Sequence, residues 1–166
     1  PNEQYQSTIN VSANTIKSGA VQIAKLTLSG KGTPKQHSLN ANILSPQANL
    51  LTELAGGWSA NRWQGDIAKL DIDPKDGKTW SLKNKLPLKL EKKRLGFEVA
   101  LAEGCLAQES ASLCTKGNYL ETGDLNFKLS TKALPTSLLQ AFLPEKMKLI
   151  SLVNSDVDIK RKKGIW

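Results

Sequence analysis

Between Leu82 and Leu90 the chain reads LKNKLPLKL. Leu82, Leu86, Leu88 and Leu90 fall on one parity, and Lys83, Lys85 and Lys89 on the other. Successive side chains of a strand point to opposite faces, so this segment is a strand with an aliphatic and a cationic face. Pro87 lies on the Lys parity and lacks an N–H, which favours an edge or a bulge there. Phe97, Val99 and Leu101 repeat the pattern, as do Leu125, Phe127 and Leu129 opposite Asn126 and Lys128. Ile67 and Leu70 to Ile72 suit a strand with a bulge. Ile9–Val11, Val21–Leu28, Leu39–Ile43 and Val157–Ile159 are further candidates. Turn signals separate these runs. In Asp73-Pro74-Lys75-Asp76-Gly77, Pro supplies φ near −65° and Gly supplies φ > 0, giving a tight loop between a strand ending near Asp73 and one beginning near Trp80. Short alternating runs between such turns predict an all-β chain.

Helix signals are few. Leu134, Leu138 and Phe142 recur at helical spacing between Pro135 and Pro144, which predicts one short helix over 134–144. The stretch Ala48–Leu54 suits a second helical turn. At 166 residues the chain fits one domain. Aromatic content is 5%, so an apolar interior must be built mainly from Leu, Ile, Val and Ala. No apolar run approaches the ~20 residues of a membrane-spanning helix. The pattern breaks off at Ile165-Trp166, and residues 1–166 are expected to be a single β-rich segment of a longer protein.

Cys105 and Cys114 flank the segment LAQESASL. Its centre is polar, and Leu106 and Leu113 sit symmetrically inside the pair. This suits two strands joined by a loop with the cysteines facing each other, and so a disulfide formed in an oxidising compartment. Two free buried thiols are the alternative. A zinc site would need His37 as a further ligand, and C-x8-C is not usual ligand spacing.

Active chemistry finds little support. His37, the one histidine, lies in the polar run KGTPKQHSL with no evident nucleophile or orienting partner, and is expected to be a surface or turn residue. No G-x-S-x-G elbow, phosphate loop or H-E-x-x-H occurs. Acidic residues at 71, 73 and 76 resemble a calcium loop, but Lys75, Asp76 and Leu82 stand where that motif needs a ligand, a glycine and the closing Glu. The expectation is no catalytic residue, no metal, no cofactor and no enzyme.

The net charge of +8 raises nucleic acid as a partner. Lysines cluster at 83–94 and 160–163, but aromatics do not interleave with them, and strand alternation alone accounts for Lys83, Lys85 and Lys89. No nucleic-acid partner is expected. Attraction to anionic lipid head groups or lipopolysaccharide is a third reading of the same charge.

The order Trp58, Trp63-Gln64-Gly65, Leu70-Asp71-Ile72, Trp80-Ser81-Leu82, Cys105-Leu106, Leu113-Cys114, Gly117-Asn118-Tyr119 resembles the TamB family of Gram-negative bacteria, AsmA-like bridge proteins of the cell envelope. Leu134–Pro144 is similar to a further segment of that family, and the resemblance covers roughly residues 20–160. It implies an internal segment of a periplasmic protein anchored in the inner membrane. The implied fold is a long curved, mostly antiparallel sheet, folded into an open, taco-like trough with an aliphatic interior. The implied function is conduction of phospholipid between inner and outer membrane. The implied partners are phospholipid acyl chains and a BamA-like outer-membrane β-barrel, with a role in outer-membrane biogenesis.

Three functions compete on this reading. The first is a non-enzymatic lipid conduit whose groove is lined by Leu82, Leu86, Leu88, Leu90, Phe97, Val99, Leu101, Leu125, Phe127 and Leu129. The second is a chaperone-like scaffold that accepts outer-membrane strands along its apolar wall or its edge. The third is a carbohydrate-binding β-sandwich, which would expose Trp58, Trp63 and Trp80 on one face as a stacking platform.

Overall fold

The computed structural model describes residues 5–18, 21–75, 77–136 and 151–162. Among these residues, eleven strands form one antiparallel sheet. They are β1 (Ser7–Ser18), β2 (Val21–Thr33), β3 (Gln36–Leu44), β4 (Ala48–Ser59), β5 (Arg62–Pro74), β6 (Trp80–Leu82), β7 (Leu86–Lys92), β8 (Phe97–Gln108), β9 (Ala111–Tyr119), β10 (Leu125–Pro135) and β11 (Leu152–Arg161). Each strand pairs with its successor, except that β6 and β7 lie end to end between β5 and β8. The result is an up-and-down meander with β1 and β11 as its two edges.

The expected single strand over Leu82–Leu90 is broken at 83–85. Both neighbouring strands carry an extra residue nearby. On β5 the register passes from Lys69 to Ile67, leaving Ala68 bulged, and on β8 it shifts between Leu101 and Gly104. The row between them breaks where they bulge, ahead of Pro87, which has no N–H to give. The Lys83 N–H still donates to the Cys105 carbonyl at 2.9 Å, so the row stays attached. Leu82 and Leu86 are four apart, so the parity survives the break. The bulge expected between Ile67 and Leu70 is present.

The helical turn expected over Ala48–Leu54 is instead part of β4. The doublet Leu50-Leu51 followed by Leu54 imitates helical spacing, and short apolar runs are ambiguous in this way. Pairing to β3 on one side and β5 on the other decides it, since both partners use every residue from Asn49 to Leu54. Of the helix expected over 134–144, Leu134 and Pro135 belong to β10 and Thr136 follows in a 3-10 turn. Residues 137–144 lie outside the described residues.

The segment between the cysteines is a tighter hairpin than its polar centre suggests. Strands β8 and β9 run on to Gln108 and Ala111, leaving only Glu109 and Ser110 as the turn. Glu109 holds a φ of 51°, and Ala60 holds 52° at the equivalent place in the β4–β5 hairpin. Two-residue hairpin turns need such a φ and usually place Gly there, so neither turn is announced by its residues.

No second layer covers the sheet among the described residues. The chain exposes 11939 Å². Area scaling gives a compact monomer of 18.1 kDa roughly 8,100 Å². A sandwich or closed barrel would approach the smaller figure. An open sheet of this many rows twists and curls along its length rather than lying flat. Trp63 and Leu86 are covered to 9% and 4% exposure in mid-sheet, as expected for side chains crowded on the inside of a curve.

Candidate functional site: an uncovered aliphatic face

Directly paired residues share a face, so the registers trace which side chains stand together. Leu88 pairs Leu101, and Leu90 pairs Val99. Leu101 and Val99 pair Gly117 and Tyr119, which pair Phe127 and Leu125. Leu129 pairs Thr115, Leu82 pairs Leu106, Leu86 pairs Ile67, and Phe97 pairs Lys92. All ten residues expected to form the wall therefore stand on one face, which is mainly apolar, with Thr52 and Thr115 among its few polar positions.

The face extends further than the expected wall. From Leu86 the register runs to Ile67, Leu54, Leu39 and Gly30, and reaches Ile9 on β1. In the other direction it continues from Phe127 to Ile159 on β11. Leu28, Ile43, Leu50 and Ile72 belong to the same side. Alternation in β2 to β5 was harder to see because glycines occupy several inward positions, and because the Ala68 bulge flips the parity of β5.

Those glycines have a use here. Gly56 and Gly65 pair with each other, and the Trp63 ring lies over both. A Cβ on Gly56 would stand 2.6 Å from the ring, and one on Gly65 2.7 Å. The ring covers backbone that would otherwise be bare, which fixes why Gly follows two residues after the Trp. Trp63 Nε1–H donates to His37 Nε2 at 2.8 Å, and His37 Nδ1 lies 3.1 Å from the Thr33 carbonyl. Nε2 must accept and Nδ1 must donate, so the ring is the neutral Nδ1–H tautomer. His37 is thus a structural partner of Trp63 rather than a plain surface or turn residue.

The opposite face is polar. Cys105 pairs Cys114 and their sulfurs are bonded there, behind the Leu106–Leu113 pair. Ion pairs also lie on it. Glu91 accepts from Lys93 at 2.8 Å and Arg62 at 3.1 Å, which hold its carboxyl below the usual range. Lys93 is raised by Glu91 and Glu98. Asp158 is lowered by Lys160 and Lys128, at 3.0 Å and 3.5 Å. These groups are partly or fully exposed, and such pairs contribute little to stability. A depression of about 750 Å³, open to solvent and lined by Lys31, Lys35, Asp66 and Lys89, lies on this side.

Trp58 and Trp63 pair directly, and Trp80 pairs Ile72, so the three tryptophans do share a face. Trp63 and Trp80 are buried, at 9% and 4%, leaving only Trp58 partly open. They form no stacking platform, and among the described residues the sheet has no partner sheet. The carbohydrate-binding sandwich is therefore set aside. Among the described residues no group of three or more His, Cys, Asp or Glu could hold a metal ion. No helix among them is long and apolar enough to cross a membrane.

An open sheet with one continuous aliphatic face and a charged reverse defines a protein that offers a wall, not a cleft. The family model for the TamB N-terminal domain matches residues 1–164. The chain belongs to the TamB family, a transport and assembly module of the Gram-negative cell envelope. No solved structure is significantly similar to it.

Proposed function

We propose that the aliphatic face conducts phospholipid between the inner and outer membranes, with acyl chains against the wall formed by Leu82, Leu86, Leu88, Leu90, Phe97, Val99, Leu101, Leu125, Phe127 and Leu129. The chain would be one segment of a longer, inner-membrane-anchored bridge across the periplasm, working without catalysis and with a BamA-like outer-membrane barrel as partner. One observation carries this reading. The aliphatic face crosses the sheet from edge to edge with no second layer over it among the described residues, and Ile9, Val11, Phe97, Val157 and Ile159 remain exposed. Exposed apolar surface on this scale calls for an apolar occupant. Membership of a transport and assembly family supports the same reading.

A charge placed in the wall would face acyl chains and carry a heavy desolvation cost when lipid passes. At an open face the same charge stays hydrated in the empty protein, so folding suffers less than transport. In the full-length protein, Leu88→Arg is expected to fold yet lose lipid delivery to the outer membrane. Lys89→Gln, on the other face, is expected to change delivery little. Normal delivery by Leu88→Arg, or damage from Lys89→Gln, would reject the wall.

A chaperone-like scaffold for outer-membrane proteins is the second reading. It draws on the long edge strands β1 and β11, whose outer N–H and C=O groups could take an added strand. Phospholipid extracted with the purified protein, and absent from Leu88→Arg, favours the conduit. Crosslinks from β1 or β11 to nascent outer-membrane strands favour the scaffold.

A further inference from the structure

The two ends of the aliphatic face differ. One end carries the hairpins β2–β3, β4–β5, β7–β8 and β9–β10. There the face finishes in Trp58, Lys92, Phe97 and Tyr119, which the registers place in line with Trp63, Leu90 and Val99. Trp58, Phe97 and Tyr119 are 37–46% exposed. The β7–β8 hairpin reads Lys92-Lys93-Arg94-Leu95-Gly96, and Leu95 at its tip is 81% exposed. Lys93 is occupied by Glu91 and Glu98 on the polar side. Lys92 and Arg94 are exposed and belong to no ion pair among the described residues.

At the other end the same face is apolar over the central strands, with Ile72, Trp80, Leu82, Leu106, Ala111 and Leu113; Gln108, paired to Ala111, and Lys17 on the edge strand β1 are polar positions on it. Lys78 and Glu109, in the loops at that end, pair with each other. Along the strands the wall thus runs from aliphatic, through the aromatic rings of Trp58, Phe97 and Tyr119, to cations that belong to no ion pair among the described residues. A lipid leaflet has the same sequence of environments, with aromatic rings and Lys or Arg gathering where chain meets head group. The strand is also long enough to take an acyl chain. From Val99 to Leu106 is roughly 24 Å at about 3.4 Å per residue. The hydrocarbon of one leaflet is roughly 15 Å, half of a ~30 Å core.

We infer that the wall orients its cargo: a phospholipid lies along the strands with its phosphate at the hairpin end, against Lys92 and Arg94, and its acyl chains toward Leu82, Leu106 and Leu113. This rests on the conduit reading and adds a direction and a head-group requirement to it. The phosphate supplies the counter-charge that Lys92 and Arg94 lack, and Arg94 can meet two of its oxygens at once. Trp58, Phe97 and Tyr119 then cover the glycerol region. At the far end of β5, β6, β8 and β9 no charged side chain among the described residues stands on the face, and Lys17 lies away from them on the edge strand β1.

The test uses the full-length protein in bacterial envelopes loaded with two photoreactive phospholipids, one activated beside the phosphate and one at the acyl terminus. Adducts are located by peptide mass spectrometry. Head-group adducts are expected on residues 92–97 and around Tyr119, and acyl adducts on the strand ends at 80–82, 106 and 113. Lys92→Glu with Arg94→Glu should lower the head-group adducts several-fold while acyl adducts on the wall persist. Head-group adducts spread equally over both ends, or unchanged by the double charge reversal, overturn the orientation and leave the conduit standing. Absence of both kinds of adduct from the aliphatic face removes the conduit, and the orientation with it.

Discussion

Trp63 and Val157 stand on the same face of the same sheet, both at positions set by strand alternation. Trp63, in mid-sheet, is 9% exposed; Val157, on the edge strand β11, is 41% exposed. Ile9 and Val11 on the other edge, β1, are 51% and 47% exposed. Alternation decides which face a side chain occupies, whereas its place in the sheet decides how far it is buried. With no second layer above them among the described residues, side chains gain cover only from lateral neighbours. Mid-sheet residues have neighbours on both sides and edge residues on one. The middle therefore works as the core, and the flanks remain surface.

The comparison breaks most readily at its extremes. Trp63→Ala removes a ring that spans Gly56 and Gly65, and loss of a buried large aromatic costs about 3–5 kcal/mol. Val157→Ala removes far less buried area, and full burial of a Val is worth only about 1.5–3 kcal/mol, so under about 1 kcal/mol is expected. Urea denaturation of both variants measures the contrast. Equal losses would mean that the middle of the sheet is no more a core than its edge.

The β8–β9 hairpin offers the next contrast, between its two faces. Leu106–Leu113 stabilises the pair by partial burial, while Cys105–Cys114 behind it acts through the unfolded chain. Closing so short a loop is worth roughly 2.5–3 kcal/mol in the chain-entropy model. Replacing both cysteines with alanine should lower stability by about that amount. Thiol titration of the unfolded, unreduced protein should find no free thiol. Two free thiols would show that the hairpin is held by its leucines alone.

Much of this architecture was legible because strand faces leave a period-2 trace. Six of the ten residues expected on the wall came from Phe97–Leu101 and Leu125–Leu129, where nothing interrupts the alternation, and four from Leu82–Leu90, whose parity survives the break at 83–85. The share of the face contributed by β1 to β5 was not recognised. There Gly30, Gly56 and Gly65 stand at inward positions, and Ala68 shifts the parity. The doublet Leu50-Leu51 imitated a helix, because one polar-side Leu is enough to spoil alternation over so few residues. The two-residue turns at Ala60 and Glu109 were hidden for another reason: a φ near +50° was filled by residues that do not signal it. The place of His37 depended on register alone. Twenty-six residues separate it from Trp63, and only two intervening hairpins bring the rings together.

That contact is the smallest effect expected to be measurable. His37→Ala leaves Trp63 Nε1–H without its acceptor beside a nearly covered ring. An unsatisfied buried donor costs about 1–3 kcal/mol, and with some solvent access the lower end, about 1 kcal/mol, is expected. His37→Gln can offer an amide oxygen and should recover part of the loss. The decisive comparison is His37→Ala in a Trp63→Phe background, where no indole N–H remains to be satisfied. If the hydrogen bond is what His37 contributes, the second substitution should then cost little, leaving a coupling energy in the double-mutant cycle. An equal cost in both backgrounds would place the role of His37 in its packing or in its bond to the Thr33 carbonyl. If the face is the proposed lipid wall, delivery should survive His37→Ala and His37→Gln, because His37 supports the fold of the wall through Trp63.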